Sequence, residues 1–237
     1  MPVNFAYLVL EEHPYGREML RILLENDFIP GILIQEVSPV GDEEREKFLN
    51  RIAGQPIPPR ITELVAGRKI PVYCVSNHND PACQELLEEF KPDLLVLGGT
   101  RIIKPSILKI PAQGTVNCHP GLLPRLRGSA SVGWALYKDL PQGASTHYVD
   151  PEIDTGDIII ARQLPVYKDD SYESLNYRIA LLAGELMAES LQAITAGKAP
   201  RTPQNPEAGE TLRVIPDDLL QEGRQRLAEG RYSHYAE

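Results

Sequence analysis

Residues 83–97 read Cys-Gln-Glu-Leu-Leu-Glu-Glu-Phe-Lys-Pro-Asp-Leu-Leu-Val-Leu, and the fold class turns on this stretch. Cys83, Leu86, Leu87 and Phe90 recur at the three- and four-residue spacing of a helix with one apolar face. Proline cannot continue a helix, so Lys91-Pro92 ends it. Leu94–Leu97 is then apolar at every position, as in a strand covered on both faces of a parallel sheet. The same alternation extends outward. Short apolar runs lie at 3–10, 29–34, 70–75 and 115–116, each bounded by Pro, Gly or charge, and Leu20, Leu23 and Leu24 mark a helix after the first run. Strands and helices in this order predict an α/β fold, an open doubly wound mostly parallel sheet whose ligands sit at the carboxyl ends of the strands.

The longest helical pattern starts at Asp170, which with Glu173 suits a capping box. Its stripe of Leu175, Ile179, Leu182, Leu186 and Ile194 runs on to Gly197. Between Ser38 and Arg60 the chain is charged and then rich in proline (Pro56, Pro58, Pro59), a helix followed by a solvated connection or a cap over a ligand. Residues 200–210 are rich in Pro, Asn and Gly, and a polar helix is predicted from Asp217 to Ala228. The expected organisation is one domain over 1–199 with a short C-terminal appendage over 200–237. No internal repeat is visible.

A chain of 237 residues with 42% hydrophobic content can bury a substantial core. Its 33 acidic residues against 24 basic ones give a net charge of -9, which opposes nucleic acid as a partner. Cys74, Cys83 and Cys118 have no metal-ligand spacing and are odd in number, which fits a reducing compartment. The first residues lack a secretory pattern and no apolar run reaches membrane-spanning length, so a cytoplasmic protein without a membrane partner is expected. The long apolar helix and the tail are compatible with a homodimer or with internal packing alone.

Candidate chemistry centres on Asn117-Cys118-His119-Pro120 and Asp154-Thr155-Gly156-Asp157. Strand alternation puts Asn117 and His119 on one face and Cys118 on the other, and Pro120 ends the strand beside them. Acyl transfer to an amine needs donors for a developing oxyanion and a route for the amine proton. An amide, an imidazole and a carboxylate supply these. Individually each has a simpler reading: a hydrogen-bonded core histidine, or an aspartate in a turn.

The wider pattern is more specific. Asn117-Cys-His-Pro-Gly-Leu-Leu-Pro124, Arg127-Gly128, Trp134-Ala135, Gly143-Ala-Ser-Thr-His147 and Asp154-Thr-Gly-Asp-Ile158 together resemble the folate-dependent formyltransferase family. The strongest likeness covers about residues 92–164. The resemblance implies a Rossmann-like formyltransferase fold, Asn117, His119 and Asp154 as a catalytic triad, and 10-formyltetrahydrofolate as formyl donor. It also implies donor-binding walls at Leu97, Gly98, Gly99, Thr100, Arg101, Ile102 and Ile103, and at Asp150, Pro151, Glu152 and Ile153. Gly98 and Gly99 suit either close approach of backbone to a flat ligand or a strand-end turn. His147 matches a family histidine near the site, in a supporting role.

Departures from the family pattern bear on the acceptor. Glu11-Glu12-His13 follows the first strand where the glycinamide ribonucleotide enzymes have a phosphate loop, and two carboxylates repel a phosphate. The tRNA enzymes carry an extra C-terminal barrel and basic surfaces, whereas this acidic sequence ends soon after Gly197, so a tRNA substrate is not expected. Formyltetrahydrofolate hydrolases carry an N-terminal regulatory domain, and the first strand here begins at Val3. Gly121 replaces the family's common Ser, and the 128–132 stretch replaces one that often contains Pro. The expected activity is formyl transfer to a primary amine of a small molecule, with an amino sugar nucleotide first. Lys69, Arg101, Arg125 and Arg127 are available either to meet its diphosphate or as solvated surface. Two alternatives stay open. One is a hydrolase using metal-bound water at His119, His147, Asp154 and Asp157; the other is a non-catalytic folate- or nucleotide-binding module.

Overall fold

The computed structural model describes residues 3–236. Its strands are β1 (Phe5–Leu10), β2 (Ile32–Glu36), β3 (Val72–Val75), β4 (Leu94–Leu97), β5 (Thr115–His119), β6 (Leu126–Gly128), β7 (Gly143–Tyr148), β8 (Ile158–Gln163) and β9 (Glu210–Leu212). Its helices are α1 (Pro14–Glu25), α2 (Pro39–Arg51), α3 (Ile61–Leu64), α4 (Pro81–Phe90), α5 (Pro105–Leu108), α6 (Ser131–Tyr137), α7 (Tyr172–Thr195) and α8 (Asp217–Ala228). Seven strands form one sheet in the order β3-β2-β1-β4-β5-β7-β8. The first five in that order run parallel, β7 runs antiparallel to them, and β8, antiparallel to β7, runs in their direction again. This is the open, mostly parallel sheet that the helix–proline–strand alternation predicts.

Burial divides by strand parity. Phe5, Tyr7 and Val9 enter the core under α1 and α7, while Ala6 and Leu8 enter the opposite layer with Cys83 and Leu87 of α4. Helices α1 and α7 pack so closely that a Cβ on Gly184 would stand 2.5 Å from Ile22 Cδ1. The chain winds outward from β1 to β3 and then returns to place β4 on the other side of β1, which makes a switch point between β1 and β4. Backbone fits tightly there. A Cβ on Gly16 would lie 1.9 Å from Gly98 O, and one on Gly98 would lie 2.0 Å from the Tyr7 hydroxyl.

Helix α7 begins later than its sequence pattern predicts. Ser171 is the N-cap, and it exchanges hydrogen bonds with Ser174. Asp170 instead accepts from Ser174 Oγ and pairs with Arg178. Residues 200–236 are closely fitted to the remainder: β9 pairs in parallel with β6, and α8 lies on α6, where a Cβ on Gly223 would stand 2.9 Å from Tyr137 N.

His13, at the start of α1, is buried against Phe48, and burial with the nearby Arg51, Arg17 and Arg45 lowers its pKa to about 3. An unfolded histidine titrates near 6.5, so the unfolded chain binds the extra proton between these values and stability falls as pH falls. Replacing His13 with Phe is expected to flatten the pH 6–4 decline in urea-unfolding free energy, by up to about 1.4 kcal/mol per pH unit. An unchanged slope would contradict this.

Candidate active site

Strand β5 ends at His119, and its parity is as predicted: Cys118 joins the core layer with Val116, while Asn117 and His119 share the other face. Burial pushes the Cys118 thiol up to about 12, so it is not a thiolate nucleophile at neutral pH. The Tyr15 hydroxyl donates to Cys118 O at 2.8 Å and ties α1 to this strand end.

The loop after β7 brings Asp154 to the same place. Asp154 has φ +53, a left-handed conformation that aspartate tolerates better than most residues. Gly156 is required beside it, because a Cβ there would stand 1.9 Å from Tyr148 O. Asp154 Oδ2 lies 3.2 Å from His119 Nδ1 and accepts from the Gly128 N–H at 2.8 Å; Oδ1 lies 3.4 Å from His147 Nε2. Burial alone would raise this carboxyl's pKa. Charge and hydrogen bonding from His119, then from His147, outweigh it and hold Asp154 well below the usual carboxylate range.

The hydrogen bonds assign much of the proton placement. Leu126 O, 2.8 Å from His119 Nε2, can only accept, so Nε2 carries a proton. Ser131 Oγ lies 3.0 Å from the same nitrogen. His147 Nδ1 donates to Tyr148 O at 2.8 Å, and its Nε2 stands 3.2 Å from Asn117 Nδ2 and 3.4 Å from Asp154 Oδ1. The Asn117 amide carries two hydrogens, so at least one is left as a donor. A register shift between Thr146 and His147 aims His147 into this position. Asn117, His119 and Asp154 are therefore brought together, with His147 linking the amide to the carboxylate.

Two further residues shape the site and were not singled out for this role from the sequence. Gln204 donates from Nε2 to Asp154 O at 2.9 Å and to Gly156 O at 2.7 Å, clamping the left-handed turn. Arg127, only 4% exposed, donates to Gln204 Oε1 and to the carbonyls of Asn205 and Pro206. This guanidinium is committed to the loop and does not offer the surface cation expected for a diphosphate. The run of Pro, Asn and Gly around Gln204 signals a loop, and its partner lies fifty residues away.

The expected donor-binding segments divide by burial. Leu97 and Ile103 belong to the apolar core, and Gly98 packs against the Tyr7 hydroxyl. Gly99 has φ +78, the backbone need that its residue type suggested. Arg101 pairs with the buried Glu36 at 2.6 Å, and Thr100 beside it is half-buried. Ile102 is 71% exposed. In the other segment Asp150 accepts from Thr155 Oγ1 at 2.6 Å, while Pro151 and Glu152 are exposed and Ile153 is 45% exposed. Val149, which leads into it, packs on the same cluster as Leu97 and Ile103. Each segment thus presents an uncovered isoleucine.

Among the described residues, no group of three or more His, Cys, Asp and Glu side chains is arranged to hold a metal ion. Asp157 lies 3.8 Å from Arg201. Among the described residues no helix is long and apolar enough to cross a membrane. A separate cleft of about 680 Å³ lies between α1, α2 and the proline-rich loop, lined among others by Glu11, Glu12, Arg17, Arg45, Ile57 and Arg60. It shares no residue with the triad.

Replacing Asp154 with Asn removes the charge but not the shape. We expect it to cost about 1.5–3 kcal/mol of stability, the range for hydrogen bonds to charged groups. Because the folded pKa is depressed, wild type keeps this advantage above the unfolded carboxylate value near 4 and loses it progressively below. Urea unfolding from pH 8 to 3 checks both features; a deficit that grows on acidification would contradict them.

Residues 35–191 match the model of the formyl transferase family. Similar curated proteins include the methionyl-tRNA formyltransferase of Syntrophus aciditrophicus, 32% identical over 85% of this chain and 62% of that protein. The methionyl-tRNA formyltransferase of Methylacidiphilum infernorum is 36% identical over 75% of this chain and 53% of its own length. The chain thus spans little more than half the length of these curated relatives. Among solved structures, a sugar N-formyltransferase from a Shewanella species superposes with a TM-score of 0.66 at 14% identity, covering 94% of this chain and 87% of that one. The phosphoribosylglycinamide formyltransferase of Anaplasma phagocytophilum gives a TM-score of 0.66 at 21% identity, covering 91% and 100%. These two likenesses are of fold.

Proposed function

The chain belongs to the formyl transferase family, and from that premise we propose that it transfers a formyl group from 10-formyltetrahydrofolate to a primary amine. The observation that carries this reading is the meeting of Asn117, His119 and Asp154 at one strand end. The donor supplies an activated formyl carbon and a departing nitrogen. When the amine attacks that carbon, the free hydrogen of Asn117 Nδ2 and the Nε2–H of His119, exchanging Leu126 O for the new partner, stabilise the developing oxyanion. Asp154 holds His119 and, through a water, carries the amine proton towards the departing nitrogen as the new C–N bond forms and the old one breaks.

For the acceptor we propose a small molecule, with an amino sugar nucleotide first. A net charge of -9 supports this, since an acidic protein repels a polyanionic RNA. A second reading, an aminoacyl-tRNA, is favoured by the names of the curated relatives.

The protein is to be incubated with 10-formyltetrahydrofolate and amino sugar nucleotides, other small amines, or methionyl-tRNA. Tetrahydrofolate release and a product heavier by one formyl group are then followed. Transfer to a small amine is expected, and transfer to methionyl-tRNA alone would select the second reading. Replacing Asn117 with Ala should cost about two to three orders of magnitude in turnover, the usual effect of losing an oxyanion donor; near-normal turnover would remove Asn117 from the mechanism.

A further inference from the structure

The short connection from β6 to α6 grips His119 from both sides. Gly128 N–H and His119 share Asp154 on the Nδ1 side, while Leu126 O and Ser131 Oγ meet Nε2. Ser131 is buried, placed by a left-handed residue at Ala130 and by Ser129 N–H donating to Leu212 O in β9. The two partners of Nε2 differ in kind. A carbonyl only accepts, whereas a hydroxyl accepts from N–H or turns to donate to a bare nitrogen. With Leu126 O taking the Nε2–H, Ser131 Oγ is a second acceptor beside it and limits the tilt of the ring.

This contact depends on the missing side chain at Gly121. A Cβ there would stand 2.9 Å from His119 Nε2 and 2.9 Å from Ser131 Cβ, closer than real Cβ atoms approach. A side chain at 121 and the present Ser131–His119 contact thus compete for one space. The two departures from the formyltransferase motif, Gly121 and the 128–132 stretch, meet here.

We infer that Ser131 is a positioning residue for His119, and that Gly121 is the void that lets its hydroxyl reach Nε2. The inference rests on the formyl-transfer reading for its catalytic consequence, but the contact itself is testable without turnover. The charged and titratable groups around the ring are Asp154, His147 beyond it, the Tyr15 hydroxyl on Cys118 O, and Arg127, which turns away to residues 204–206.

Replacing Ser131 with Ala removes the hydroxyl and keeps the Cβ. Leu126 O still accepts from Nε2–H, but the second partner on that side is gone, so the Nε2 signal of His119 should shift. The change is read from the ring-nitrogen NMR signals of the ligand-free protein. With an amine that the wild type formylates, kcat should fall about tenfold, with KM for the donor nearly unchanged. Gly121→Ala should move the same ring signals, and Gly121→Ala with Ser131→Ala should be about as slow as Gly121→Ala alone. Ring signals unmoved by Ser131→Ala would overturn the inference while wild-type formyl transfer stood. Fully multiplicative rate losses would overturn the role of Gly121. If wild type formylates no amine, the formyl-transfer reading fails, and the ring signals still decide whether Ser131 positions His119.

Discussion

One carboxylate holds the site together. Asp154 meets His119 with one oxygen, approaches His147 with the other, and takes the Gly128 N–H as well. Burying a charge is costly unless it is paired and hydrogen-bonded, and this one is both. The arrangement joins the end of β5, the bulge in β7 and the end of β6. The left-handed turn that presents Asp154 is unfavourable for most residues, so the surroundings must hold it.

Much of that support comes from residues 204–212. Gln204 bonds two carbonyls of the turn, Arg127 ties Gln204 to its neighbours, and β9 pairs with β6 just before Ser131. A segment that reads as a polar connection is therefore part of the site's framework. Gly128 shows how close the fit is, since a Cβ there would lie 2.1 Å from Leu212 O.

The legible parts of this molecule are those governed by local rules. Leu94–Leu97 and Asp217–Ala228 form their elements at the predicted bounds, and strand parity alone places Asn117 and His119 together. Less local outcomes escape such rules. The cap of α7 passes from Asp170 to Ser171 because Arg178 draws the carboxylate into an ion pair. Leu97 and Ile103 share a ligand-like motif with Ile102, yet core packing takes two of the three. Arg101 is drawn to Glu36, a residue that sequence gives no reason to bury. The grip of Gln204 needs a contact across fifty residues, and that of Ser131 needs the absence of a side chain at 121.

The strand-end site around Asp154 and the cleft between α1, α2 and the proline-rich loop are separate places. The proposed chemistry lies at the first. A crystal structure with a stable analogue of 10-formyltetrahydrofolate tests this most directly. The formyl oxygen is expected within hydrogen-bonding distance of Asn117 Nδ2, and the ring system against Ile102 and Ile153. An analogue bound instead among Glu11, Arg45 and Arg60, with its formyl group away from Asn117 and His119, would contradict it.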